Sequence, residues 1–135
     1  MRFVLDASVA VAALRETESF HAEALRQCMP VFARRDEVVV PAIFDVEVVS
    51  ALVRRGIPHA RVELFLQEHL ASRRLITIGP RAATAVRRIV GATRLRAADA
   101  FYVWVAAREG LELVTLDQEV IARAPLSGVI AVLPR

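Results

Sequence analysis

Short apolar runs that recur between longer helical segments constrain this chain more than any other feature. Arg2 to Leu5, Val38 to Val40, Leu75 to Ile78, Glu112 to Leu116 and Val129 to Leu133 each read as a strand, too short for a helix and mostly rich in β-branched residues. Strands that alternate with helices predict an α/β fold: a central parallel sheet, covered on both faces and joined by right-handed crossovers. A chain of 135 residues fits one domain, 1–135, with a core large enough to need no staple. No internal repeat, linker or low-complexity segment divides it.

The intervening helices are predicted over Ser8 to Leu14, Glu18 to Met29 with Pro30 as the stop, Ala42 to Arg55, and Pro58 to about Ala71. Arg81 to Val90 follows, then a turn over Gly91 to Arg94, a helix from Arg96 to Gly110, and a short helix around Val120-Ile121 stopped by Pro125. Arg96 to Gly110 is strongly apolar but carries one carboxylate, Asp99, near its start. An ionised side chain among Ala, Val and aromatic neighbours is destabilising by several kcal/mol, about 2.5 or more, unless something pairs with it. Asp99 therefore needs a partner.

Composition narrows the classes. With 56% hydrophobic and 24% charged residues the chain is not disordered, and its apolar surplus predicts contact with another chain, read as a homodimer. All 18 basic residues are arginine, which excludes any mechanism that needs a lysine. The net charge of +3 permits nucleic-acid binding without demanding it. A single cysteine, Cys28, allows no intramolecular disulfide, suits a reducing compartment such as the cytoplasm, and reads as a small buried hydrophobe. Asp6 interrupts what otherwise mimics a signal peptide, and Asp45 and Glu47 break the best candidate for a membrane span.

Ligands of open α/β sheets bind at the carboxyl ends of the strands. Asp6 and Asp117 each directly follow a predicted strand, while Glu47 and Asp99 lie near the starts of their helices. The four are predicted to converge at one edge of the sheet. Converging carboxylates repel, so either some are protonated or a cation is present, and oxygen donors without His or Cys select Mg²⁺ or Mn²⁺ over zinc. Asp6 and Asp117 also read as helix N-caps, and Arg96 is placed to pair with Asp99. Asp45 lies about 200° round the helix from Glu47 and reads as a surface charge, as does Glu119. Arg94 and Arg96 are the arginines best placed to grip a phosphate, with Arg15, Arg54 and Arg55 behind them.

Val4-Leu5-Asp6-Ala7-Ser8, Pro41 with Glu47 after it, Ala98-Asp99-Ala100 and Val114-Thr115-Leu116-Asp117 together resemble the PIN domain over essentially the whole chain. Stand-alone chains of this length resemble the VapC-type toxins of toxin–antitoxin pairs. The resemblance implies a three-layer α/β/α sandwich, a Mg²⁺- or Mn²⁺-dependent endoribonuclease, an RNA substrate and a cognate antitoxin. It carries over Asp6, Glu47, Asp99 and Asp117 as catalytic and metal-holding acids, with Ser8 and Thr115 as supporting polar residues. Ser50 stands where the family commonly has Asn, and a shorter hydroxyl there is expected to hold a water or the carboxylate. A receiver-like domain is excluded by the lack of lysine, and a haloacid-dehalogenase-like phosphatase by Ser8 where a second Asp is required. The remaining alternative is a PIN fold kept as a binding module without cleavage.

Overall fold

The computed structural model describes all 135 residues. Five parallel strands form one sheet: β1 (Arg2–Leu5), β2 (Glu37–Pro41), β3 (Arg74–Ile76), β4 (Leu113–Val114) and β5 (Ala131–Val132), in the spatial order β3-β2-β1-β4-β5. Val4 pairs with Val39 on one side and with Leu113 on the other, so β1 is central. Val38, Val39 and Val40 are all fully buried, as a parallel sheet covered on both faces requires. The β-branched run is what makes this segment a strand.

Helices α1 (Ala7–Leu14), α2 (His21–Phe32), α3 (Ile43–Arg54) and α4 (His59–His69) pack among themselves. A second group, α5 (Pro80–Thr93), α6 (Ala97–Glu109) and α7 (Gln118–Arg123) with the 3-10 turn Ala124–Ser127, does the same. The chain moves from β1 outward to β3 through the first group. It then returns across β2 and β1 to β4 through α5 and α6, and right-handed crossovers put the two groups on opposite faces. The result is the expected three-layer sandwich. The α6 helix lies against β1, β2 and β4, and buries Ala100, Val103, Val105 and Ala106. Each buried Val contributes about 1.5–3 kcal/mol. Gly110 ends it at φ +67, a conformation that suits glycine.

Two helix ends differ from expectation. Pro30 does not stop α2, which runs on to Phe32. A proline disturbs the turn before it, whereas the residues after it remain free to be helical, and burial of Val31 favours their doing so. Gly91 likewise stays inside α5, which ends at Arg94 in the left-handed conformation. Burial of Thr93, whose hydroxyl donates to the Ile89 carbonyl at 2.7 Å, extends that last turn. The three edge-ward strands β3, β4 and β5 are shorter than their apolar runs because pairing, not hydropathy, sets their ends.

β1 continues toward one side of the sheet and β4 toward the other. Their carboxyl ends therefore flank the crevice where the strand order reverses.

Candidate active site

Asp6 is the first residue after β1 and caps α1 in an extended conformation. Its Oδ2 accepts the Thr115 hydroxyl at 2.7 Å and the Ser8 hydroxyl at 3.0 Å, and the residue is only 8% exposed. Thr115 also accepts the Asp117 backbone N–H at 3.1 Å, so one hydroxyl links the two strand-end acids. Asp117 caps α7 through Oδ1, which accepts the N–H groups of Glu119 and Val120 at 2.8 and 3.4 Å. Both readings of these two acids hold together: each caps a helix and lines the crevice. A cap fixes the carboxylate without neutralising it.

The other two acids arrive from helices. Glu47 on α3 accepts the Tyr102 hydroxyl at 2.6 Å. Asp99 lies in the first turn of α6. All four border a single cavity of about 550 Å³, together with Ser8, Val11, Ala12, Glu18, Phe20 and Arg55 among others.

Their charges oppose one another. Burial raises the pKa of Asp6, a shift resisted by the hydroxyls of Thr115 and Ser8 and reinforced by Asp117. Glu47 is raised by burial, with Tyr102 opposing and Asp6 adding. Asp99 is pushed from 3.8 to about 6, first by burial and then by the charges of Asp6, Asp117 and Glu47. Arg96 lowers it only through space, because Arg96, though placed to pair with Asp99, forms no ion pair with it. None of the four acids forms an ion pair; every arginine bridge in the molecule goes to another acid.

Several residues sit elsewhere than their sequence neighbourhood suggests. Arg94 and Arg96 are exposed and do not border the cavity, since Arg94 closes α5 and Arg96 caps α6 with its backbone. Ser50 faces outward, on a separate shallow depression beside Glu47 and Arg54. Asp45 is not a simple surface charge: Arg73 grips it with Nε at 2.7 Å and Nη2 at 2.6 Å. Glu119 is the exposed charge expected, paired with Arg123 at 3.1 Å. Cys28 is fully buried, and burial pushes its thiol up to about 12.

Sequence alone did not mark Glu18 and Phe20 at the far end of the cavity, nor the contact of Tyr102 with an acid at the near end. Glu18 holds Arg55 at 2.8 Å and Arg15 at 3.5 Å. Phe20 between α1 and α2 has φ +64, a left-handed conformation that costs a bulky residue on the order of 1–2 kcal/mol. Tyr102 was legible only as part of an apolar helix face, not as the hydroxyl on Glu47.

A family model described as the PIN domain matches residues 3–125. The chain belongs to the PIN domain family. No curated protein matches it significantly in sequence. Among solved structures, FitAcB from Neisseria gonorrhoeae superposes with a TM-score of 0.76 at 18% identity, covering 99% of this chain and 98% of that one. VapC20 of Mycobacterium tuberculosis, a sarcin-ricin loop cleaving toxin, gives 0.75 at 18% identity over 99% and 100%. A toxin-antitoxin complex from Klebsiella pneumoniae gives 0.70 at 18% identity over 98% of both chains. At such identities the likeness speaks for the PIN fold.

The donor set of this PIN domain suits a hard divalent cation, with four oxygen acids and no histidine or cysteine bordering the cavity. No three acids, histidines or cysteines are close enough to form a complete cage around an ion.

Proposed function

We propose that the chain is a Mg²⁺- or Mn²⁺-dependent endoribonuclease acting as the toxin of a toxin–antitoxin pair. The observation that carries this reading is the acid cavity itself: four carboxylates at the switch point of a PIN fold, mutually repelling and paired with no arginine. Structural charges are normally neutralised by a partner, and acids left in this state are the mark of a site that waits for a cation. A divalent ion bound there supplies Lewis acidity at the phosphoryl oxygen and lowers the pKa of the attacking water.

Asp6, Glu47 and Asp99 are assigned to hold the ion, directly or through water, and Asp117 to orient the attacking water or to share a second ion. Thr115 and Ser8 keep the Asp6 carboxylate in place, and Tyr102 does the same for Glu47. Arg96 and Arg94, exposed just before α6, are assigned to the RNA backbone outside the cavity, with Arg96 near enough to influence Asp99 electrostatically. Val46, Val53 and Leu64 are exposed apolar residues on α3 and α4 and support a protein partner, a cognate antitoxin or a second copy. No helix is long and apolar enough to cross a membrane. The cytoplasm is the compartment this reading assigns.

Expression of the wild type and Asp6→Asn in cells, followed by mapping of new RNA ends, tests the reading. New ends are expected for the wild type alone, and purified wild type is expected to cleave with Mg²⁺ or Mn²⁺ and not with EDTA. Growth arrest by both forms without new ends would favour a binding module instead.

A further inference from the structure

The cavity is a trough with two chemically different ends. Acids occupy one end, and α1 and α3 form its sides through Val11, Ala12 and Ala51. At the other end stand Glu18, Ser19, Phe20 and Arg55. Glu47 and Arg55 lie on the same side of the trough, eight positions apart, which along a helix is ~12 Å. Nothing at the far end helps to gather a cation, since Glu18 is already engaged by Arg55 and Arg15.

Phe20 is the unusual member. It is 49% exposed, the one exposed residue among eight aromatics, and it is held in the left-handed conformation by a well-connected segment. The His21 ring Nδ1 donates to the Ala12 carbonyl at 2.7 Å, and the His21 backbone N–H donates to the Glu18 carbonyl at 3.2 Å. The Ala24 backbone N–H donates to the Phe20 carbonyl at 2.9 Å. Strained backbone of this kind persists where the surroundings over-determine it, and it clusters at ligand clamps. Packing does not explain it, because half of the ring faces water. At the same end of the cavity, Arg55 pairs with Glu18 through Nε at 2.8 Å and donates from Nη1 to the Ala51 carbonyl at 2.9 Å, while Nη2 makes no hydrogen bond.

We propose that this end of the trough is a nucleotide subsite, in which Phe20 stacks on an unpaired base of single-stranded RNA and Arg55 binds the phosphate beside it. Stacking on an aromatic ring accepts any base, and a guanidinium supplies the charge that the acid end lacks. Glu18 keeps Arg55 in position in the free protein, and the RNA phosphate competes with it for the guanidinium on binding. The subsite rests on the nuclease reading, because it assigns to RNA the trough whose other end holds the acids.

The test uses the full chain and a mixed-sequence single-stranded RNA carrying 2-aminopurine, first in EDTA to read binding and then in Mg²⁺ to read cleavage. Phe20→Ala is expected to bind about tenfold more weakly, to lose the fluorescence quenching, and to raise KM with kcat little changed. Phe20→Trp restores all three. Phe20→Gly relieves the left-handed backbone, so it is expected to keep or raise Tm while binding as weakly as Phe20→Ala. Arg55→Ala weakens binding and flattens its salt dependence. If the wild type cleaves and Phe20→Ala binds and cleaves like it, the subsite is overturned and the nuclease reading stands. If Phe20→Gly loses binding only in step with a fall in Tm, Phe20 is structural and the subsite is again overturned. A wild type that neither binds nor cleaves the RNA overturns both readings.

Discussion

Asp45 and Glu47 lie two positions apart on α3 and face opposite environments. Asp45 meets Arg73 in a two-point ion pair, and Arg73 Nη1 also donates to the carbonyls of Leu66 and Leu70 at 3.0 and 2.8 Å. That guanidinium ties α3 to the end of α4. Glu47 meets a neutral hydroxyl and the field of Asp6, which drives its pKa up. One acid is neutralised and contributes to the fold, while the other has no cationic partner and is disfavoured as a carboxylate by burial and by Asp6. A half-buried carboxylate given a donor but no cation is one whose charge is kept for something else.

The sharpest way to break this contrast is a crossed pair of substitutions. Asp99→Asn is expected to lower Mg²⁺-dependent cleavage by about a thousandfold while raising Tm above pH 6, because it removes a repelled charge. Asp45→Asn should do the reverse. It leaves the guanidinium of Arg73, whose side chain is 16% exposed, without its carboxylate, destabilises by about 1–3 kcal/mol and leaves cleavage unchanged. Circular-dichroism melts and single-turnover cleavage of the two variants decide it. If Asp45→Asn abolishes cleavage, or Asp99→Asn loses the fold, the division of labour is wrong.

A smaller effect follows from pH. Asp99 titrates near 3.8 when unfolded and at about 6 when folded, so between these values the folded chain holds more protons. Stability contributed by the protonated acid is present at low pH and is lost as pH rises through about 6, with Asp6 and Glu47 acting in the same direction. Allowing for solvent around Asp99, the loss is roughly 1–2 kcal/mol. Melting from pH 5 to 7.5 in EDTA should show it, and Mg²⁺ should reverse it above pH 6, since an ion that binds only the folded acids stabilises by mass action. A flat profile in EDTA would mean that the four carboxylates do not repel as their positions require.

Tyr102→Phe gives the smallest change. It removes the donor on Glu47, lowers stability by about 1 kcal/mol and slows cleavage about tenfold, as loss of an orienting partner does. Ser50→Ala, on the outward side of the same helix, is expected to change neither quantity.

Much of the molecule is legible along the chain. β-branched runs at Val38 to Val40 and the apolar segment before Asp6 mark strands, and acids directly after two strands mark the crevice. These are local signals, in which a residue's type and its immediate neighbours carry the information. Gripping of Asp45 by Arg73, docking of Tyr102 on Glu47 and the capture of Arg55 by Glu18 join residues 28, 55 and 37 positions apart. No periodicity reports on such pairs. Arg94 and Arg96 show the same limit: they are near Asp99 in sequence, but the helix ends they occupy leave their side chains in solvent outside the cavity.

The sequence by itself determined the layered α/β class, the order of the strands and helices, and the four acids that belong together, because strand and helix periods and strand-end positions are properties of short segments. Only the tertiary structure decided which arginines reach the cavity, which carboxylates stay unpaired, and that Phe20 is held against its backbone preference at the far end of the cavity. Charge pairing and strain depend on what the fold brings within a few ångströms, and that distance is set by packing of the whole chain.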